Sequence, residues 1–445
     1  MSSSSPPSVP AAAAASALRL PRRAFASEGW QRTFSSLSND NFRLLWVSML
    51  FSFTSLHMSF TAQGFLTYEL TGTAKSLGLV GLGWGIPQLA FSLVGGVAAD
   101  RLHKRWLVVF SMLVMAVTSL VTAVLIQTDV INVWQIFGLA LVSGTVFAFF
   151  VPARQAWIPE LVSQEQLMNA VALNSSAFTA MSIVGPGLAG ALIAVPFIGL
   201  TGVYYLMAAS YAVAVLLLAR IPGGGPVAGR TYVHPYRSMM DGLRYVRRHP
   251  VLPVLLVMGF VPIVVGMPYR TLFPVFAREV YGVGSVGLGV MGLATGLGAL
   301  VGSLGVASLA PGSRRSAIQV VAGLGFGVTL IAFAAAPALA LGLLALLFVG
   351  LMSNSYWALN GTMVLASSDP EYYGRVQSIY MLSWSVQAFA GLPIGALADL
   401  LGVQTTVAGV GVTLVVALAA IVALFPGHRR LREHEASRGQ PARAQ

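Results

Sequence analysis

The densest chemistry in the chain is the run Gly95-Gly96-Val97-Ala98-Ala99-Asp100-Arg101-Leu102-His103-Lys104-Arg105, one carboxylate followed by a cluster of cations at the end of a glycine-rich apolar stretch. Glycines let two helix backbones approach closely, and Asp100 can accept from an opposing helix end or a basic side chain. Gly96, Asp100, Arg101, Lys104 and Arg105 are therefore candidates for a gate latch, the alternative being a plain basic loop after a helix. Gly185-Pro186-Gly187 with Gly190 forms a second cluster. There proline deletes a backbone hydrogen bond and glycine deletes bulk, giving either a hinge or a tolerated kink.

Few other side chains can carry charge within apolar sequence, where charge is expensive and usually functional. His57 could titrate near neutral pH and carry protons, or be a hydrogen-bonded packing residue. Arg270 could meet an anionic substrate or pair with Glu69 or Asp399; the structural pairing is the expectation. No nucleophile, base and metal-ligand set converges at one depth, and no ATP-binding glycine loop ends in Lys-Ser or Lys-Thr. The chain has no cysteine, so thiol chemistry, cysteine-ligated zinc and iron–sulfur clusters are excluded. Neither an enzyme nor a primary pump is expected, and neither a cofactor nor a metal.

The elements that must position these residues are membrane spans. Of 445 residues 56% are hydrophobic and 9% charged, with a mean hydropathy of +0.78; a soluble domain carries roughly a quarter of its residues as charges. Apolar runs of the length needed to cross hydrocarbon predict spans at about 43–68, 77–99, 106–127, 133–151, 168–195 and 198–218, then at about 251–276, 286–309, 317–336, 339–364, 374–398 and 405–425. The expected fold is all-α, twelve transmembrane helices in two pseudo-symmetric six-helix bundles. The domains are a tail at 1–40, bundles at 41–219 and 251–425, a linker at 220–250 and a second tail at 426–445. The first tail is rich in Ser, Pro, Ala and Arg and reads as disordered or as an organellar transit peptide. The linker opens with Ile221-Pro222-Gly223-Gly224-Gly225-Pro226 and ends in a basic amphipathic stretch expected at the membrane surface.

Of the 26 Lys and Arg, only Lys75 and Arg278 fall in loops that face outward if both termini face inward. That bias fixes the expected orientation, with both termini cytoplasmic in a multi-pass plasma membrane protein of a bacterial inner membrane type. It also explains the net charge of +12 through topology and anionic lipid, so the lipid bilayer is the expected partner and nucleic acid is not. An internal repeat supports the division. Ser76-Leu77-Gly78-Leu79 matches Ser285-Val286-Gly287-Leu288, and the same offset pairs Gly96-Val97-Ala98 with Gly305-Val306-Ala307. Gly190-Ala191-Leu192 also resembles Gly395-Ala396-Leu397. Parallel repeats place a cavity between the halves, about an axis along the membrane normal.

The Gly96, Asp100, Arg101, Lys104 and Arg105 pattern resembles the signature of the major facilitator superfamily in the loop between spans two and three, with His103 where glycine is frequent. Leu309 stands where the second half would repeat the acid, although Arg314 and Arg315 remain. Tyr68-Glu69-Leu70-Thr71-Gly72, Pro152-Ala153-Arg154-Gln155-Ala156, Ile158-Pro159-Glu160-Leu161-Val162 and Asn169-Ala170-Val171-Ala172-Leu173-Asn174 resemble the drug and siderophore exporter branch, with its enterobactin exporters and macrolide efflux proteins. Gly185, Pro186, Gly187 and Gly190 resemble a shortened antiporter motif.

The resemblance implies a monomeric secondary transporter that exports a small amphipathic organic molecule by alternating access, with protons as coupling ion. An importer or lysophospholipid carrier is the alternative, and a non-transporting sensor or assembly factor a second. It also turns Gln63, Trp84, Gln88, Asn174, Trp357, Asn360, Trp384 and Gln387 toward a central cavity; helix packing or an aromatic belt is the alternative for each. Proton coupling rests on kinship alone, because Val142-Ser143-Gly144-Thr145 occupies the middle of span four, where many proton antiporters of the superfamily carry arginine.

Overall fold

A computed structural model describes residues 34–223, 235–309 and 315–424. Residues 1–33 and 425–445, the linker at 224–234 and Arg314 lie outside the described residues, as do the side chains of Asp100 and Trp384. Ser35–Ser38 of the expected first tail instead form a short 3-10 helix, held by the Ser36 hydroxyl donating to Asn169 Oδ1 at 2.6 Å. Twelve long helices and one linker helix run in the order α1 Asp40–Thr71, α2 Ala74–Arg101, α3 Lys104–Gln127, α4 Val133–Leu161, α5 Leu167–Ile193, α6 Gly199–Leu218, α7 Pro235–Arg248, α8 Leu252–Val280, α9 Gly284–Ala307, α10 Arg315–Ala335, α11 Leu339–Ala366, α12 Tyr373–Leu401 and α13 Val403–Leu424. Among the described residues, eleven are long and apolar enough to cross a membrane. The remaining long helix, α2, has 28 residues, long enough to cross hydrocarbon, and is rich in glycine. Those same glycines let α2 approach its neighbours.

Local sequence sets the boundaries. Asn39 caps α1, its side-chain oxygen accepting from the amides of Asn41 at 3.0 Å and Phe42 at 3.2 Å. Gly72, left-handed at φ 62°, ends the helix by donating to Tyr68 O. Asn132 and Gln135 build a capping box on α4. Helix α4 corrects one expected boundary. It continues through Pro152 and Pro159 to Leu161, ten residues past the expected end, because neighbouring helices support a proline kink in a membrane bundle. Helix α8 shows the opposite behaviour. Pro262, Pro268 and Pro274 each withhold an amide donor, and the helix passes through π and 3-10 stretches, the latter at Met267–Leu272.

The helices pack in two groups of six. Helix α1 packs on α5 and α6, α3 on α4 and α6, and α2 on α4; α9 packs on α11, and α10 on α11 and α13. Two pairs, α2 with α12 and α5 with α9, join the groups. The sequence repeat exchanges these two pairs, since it relates α2 to α9 and α5 to α12. Linker helix α7 docks on the second group. Tyr245 stacks on Tyr372 at 4.1 Å, its hydroxyl donates to Asp369 Oδ2 at 3.0 Å, and it accepts from the Asp369 amide at 2.9 Å.

Candidate substrate cleft and its closures

The groups meet where α1 ends and α2 begins. The apolar core of the second group continues without a break into Tyr68, Ala74 and Leu77 of the first, with Phe65 packed beside them. Polar contacts ring that shared core. Glu69 pairs with Arg278, and Tyr68 donates to Glu279. Asp399 accepts from the amides of Ala74 at 2.6 Å and Lys75 at 2.9 Å, capping α2 from the opposite half. A pocket of about 250 Å³ bordered by Phe65, Glu69, Pro274 and Arg278 sits at this end.

Close backbone contact extends the closure inward. A methyl group added at Gly190 would lie 2.5 Å from Ser285 O and 2.7 Å from Gly289 Cα, and one at Gly187 would lie 2.8 Å from the Leu293 side chain. Gly395 stands in the same relation to the first turn of α2, where an added methyl would lie 3.0 Å from Lys75 Cα. The repeat-related glycines thus serve repeat-related seams. Gly185 instead backs onto His57, and Pro186 packs on Gly292, while α5 remains an unbroken helix through Pro186.

At the opposite end the cores are separate. One cluster, from Phe42 to Ile221, lies wholly in the first group; another, Val246, Leu252, Leu255, Met363, Val364 and Val376, lies wholly in the linker and second group. Two charged contacts described there also stay within a group. Lys104 is buried and pairs with Glu160 at 2.6 Å, a partner that the sequence offered only as part of a branch motif. Arg105 donates to Ala219 O and lies over the Trp106 ring. Arg101 is exposed at the end of α2. The tight glycine of the signature is Gly95, against the α4 backbone at Ala148 and Phe149; a methyl at Gly96 would meet open space.

The middle of the cleft holds some of the expected residues and not others. His57 packs on Phe178 at 5.0 Å and Phe60 at 6.3 Å, and its buried Nε2 has no hydrogen-bond partner. Gln63, Asn174 and Gln387 are half-buried. Trp84 is half-buried between Phe60 and Phe147, and Trp357 lies edge-on to Tyr356 and Tyr380. Asn360 corrects an expectation. It is fully buried in the second group's core, where it accepts from Gln319 Nε2 at 2.6 Å. Gln88 reaches toward Gly144 O at 3.4 Å, the α2–α4 seam inside one group.

Arg270 corrects another. Glu69 is taken by Arg278 and Asp399 by backbone amides, so neither pairs with Arg270, which is exposed. A residue that sequence reasoning missed is Arg154. It is a buried cation inside α4, with Phe53 at 4.7 Å, Phe150 at 5.3 Å and Met49 Sδ at 3.8 Å, and no ion pair among the described residues. Ending the span at Val151, before Pro152, had placed it in a loop.

Two six-helix groups around a cleft, joined at one end and parted at the other, define a transporter of the major facilitator fold. The chain belongs to the family of transmembrane secretion effectors, whose family model matches residues 31–443. It is 24% identical over 394 residues to macrolide efflux protein A of Streptococcus pyogenes, covering 88% of this chain and 97% of that one. To the enterobactin exporter EntS of Citrobacter koseri it is 25% identical over 412 residues, covering 91% and 97%. The crystal structure of a point mutant of the nucleoside transporter NupG shares its fold, with a TM-score of 0.67 at 14% identity and coverage of 86% and 99%.

Proposed function

We propose that this protein is a secondary exporter that moves a small amphipathic organic molecule of the drug or siderophore type by alternating access. The carrying observation is the asymmetry of the cleft, with a shared core at the Glu69 end and separate cores at the Lys104 end. With the basic loops and both termini on the cytoplasmic face of a bacterial plasma membrane, this arrangement faces inward, ready to load from the cytoplasm. Lys104 and Arg105 find their described partners, Glu160 and Ala219 O, inside the first group, so neither is stranded when the groups part there. The names of the relatives, a macrolide efflux protein and an enterobactin exporter, support the direction. A monomer suffices, because one chain supplies both bundles.

Saturable, gradient-dependent loading of everted vesicles tests this reading; accumulation in whole cells instead would make the protein an importer. Protons are the proposed coupling ion. His57 is the titratable side chain placed beside the cleft at mid-span, so His57→Gln should flatten the pH dependence of transport, and an unchanged profile would return it to packing.

A further inference from the structure

Inside the spans the fixed charges have one sign. The 14 Asp and Glu fall in tails, in loops, in linker helix α7 or within the first or last three residues of a span; Asp40, Glu69, Asp100, Glu160, Glu279 and Asp399 are the ones on spanning helices. Two arginines lie about two to three turns inside theirs: Arg154 in α4 and Arg270 in α8. Aromatic rings seal Arg154 in. Arg270 is open, and its place is informative. It stands on the 3-10 stretch of α8, one turn from Pro274, the residue that closes on Gly64 of α1. On α1, His57 has a buried Nε2 with no hydrogen-bond partner among the described residues. The acids at the closed end are engaged elsewhere, Glu69 by Arg278, Glu279 by Tyr68 and Asp399 by the α2 amides. An intramembrane guanidinium without a counter-charge is costly unless a ligand supplies one, and its planar donor fork suits a sulfonate or carboxylate.

We propose that the cargo is an organic anion, gripped at the roof of the cleft by Arg270 through its acidic head while its apolar body lies against Phe60 and Phe178. Both rings are partly exposed beside His57. This rests on the exporter reading and narrows it. Expelling an anion, alone or in exchange for protons, moves charge in the direction an inside-negative potential favours, so each 100 mV supports a concentration ratio of about 50-fold per charge.

The test uses three probes on one apolar body: naphthalene-2-sulfonate, naphthalene-2-sulfonamide and 2-naphthyltrimethylammonium. The full-length protein is reconstituted in proteoliposomes at equal pH on both sides, and potassium with valinomycin sets the potential. Saturable accumulation of the sulfonate under an interior-positive potential is expected, with no carriage of the trimethylammonium probe at either polarity. Arg270→Gln should weaken sulfonate binding, read by tryptophan quenching, at least about tenfold, and leave the sulfonamide within about twofold. Arg270→Lys should retain the preference for the anion. Carriage of the cation in preference to the sulfonate, sulfonate flux indifferent to potential, or full sulfonate affinity in a monodisperse Arg270→Gln protein would each overturn the anion site and leave export standing. Arg270-dependent sulfonate binding without flux of any probe would do the reverse, keeping the site and removing export.

Discussion

The two ends of the cleft solve one problem in opposite ways. At the Glu69 end the halves lean on each other: the apolar core is shared, glycine backbones touch, and the first turn of α2 is capped by Asp399 from the other half. At the Lys104 end every charged contact described above stays within one half. Lys104 meets Glu160, Arg105 meets the end of α6, and α7 docks on the second half through Tyr245 and Tyr372. Small-residue packing adds up only when backbones are close, since dispersion falls steeply with a gap. A closure made this way is cooperative and breaks as a unit. An end whose ions are already satisfied at home costs little to part.

The heaviest blow to this contrast is a side chain in the α5–α9 seam. Gly190→Val would drive a methyl group into Ser285 O and Gly289, so the Glu69 end should fail to close and transport should be lost. The chain has no cysteine, so spin labels at Thr73→Cys and Leu400→Cys can read the separation directly. An unchanged distance distribution in the Gly190→Val background would break the comparison.

The next effect belongs to the other end and should leave that distance alone. Lys104→Met removes the buried cation and leaves Glu160, 27% exposed, with access to water. Removing one partner of a buried pair costs about 3–5 kcal/mol; partial exposure of the survivor brings this to about 1–3 kcal/mol. The thermal midpoint of the purified protein should fall accordingly. Asp399→Asn then returns to the closed end. An amide still accepts, but without charge toward the helix terminus, for a loss of about 1 kcal/mol. The labelled pair should shift about fivefold toward the separated state.

Legibility followed the same division. The spans, the six-plus-six plan and the glycine seams were readable because hydropathy and small-residue spacing are properties of a helix read alone. The repeat put Gly190 and Gly395 in matching places, but that they meet α9 and α2 came only from the packing. Pairings of charged residues were not readable. Glu69 and Arg270 look like partners because both are charges near one end of their spans, but Glu69 pairs with Arg278, eight residues further along α8. Arg154 was hidden by a rule sound in water, where proline ends helices, and weaker where neighbouring helices support the kink.

A smaller effect sharpens the inner end. His249 Nδ1 accepts from the amides of Val251 at 3.3 Å and Leu252 at 3.2 Å, joining α7 to α8. Burial holds its pKa below the usual 6.5, against a weaker upward pull from Asp369. A lowered pKa in the docked state means that its stabilisation is complete above pH 6.5 and is lost as pH falls through the lowered value. Protection factors of the α7 amides, that is, exchange corrected for its intrinsic pH dependence, should therefore be flat from neutral pH upward and fall about two- to fivefold in acid. His249→Ala should remove that dependence.

The least change should come from the most conspicuous ion pair. Glu69 and Arg278 bridge the halves in plain view, with side chains 40% and 56% exposed. Exposed pairs are screened and spend side-chain entropy on one geometry. If the shared core and glycine seams hold the closure, Glu69→Gln should barely move the labelled distance, and raising salt in the wild type should reproduce whatever shift it causes. A Glu69→Gln shift as large as that of Gly190→Val would transfer the closure from packing to electrostatics, and the two ends would then differ only in which charges they use.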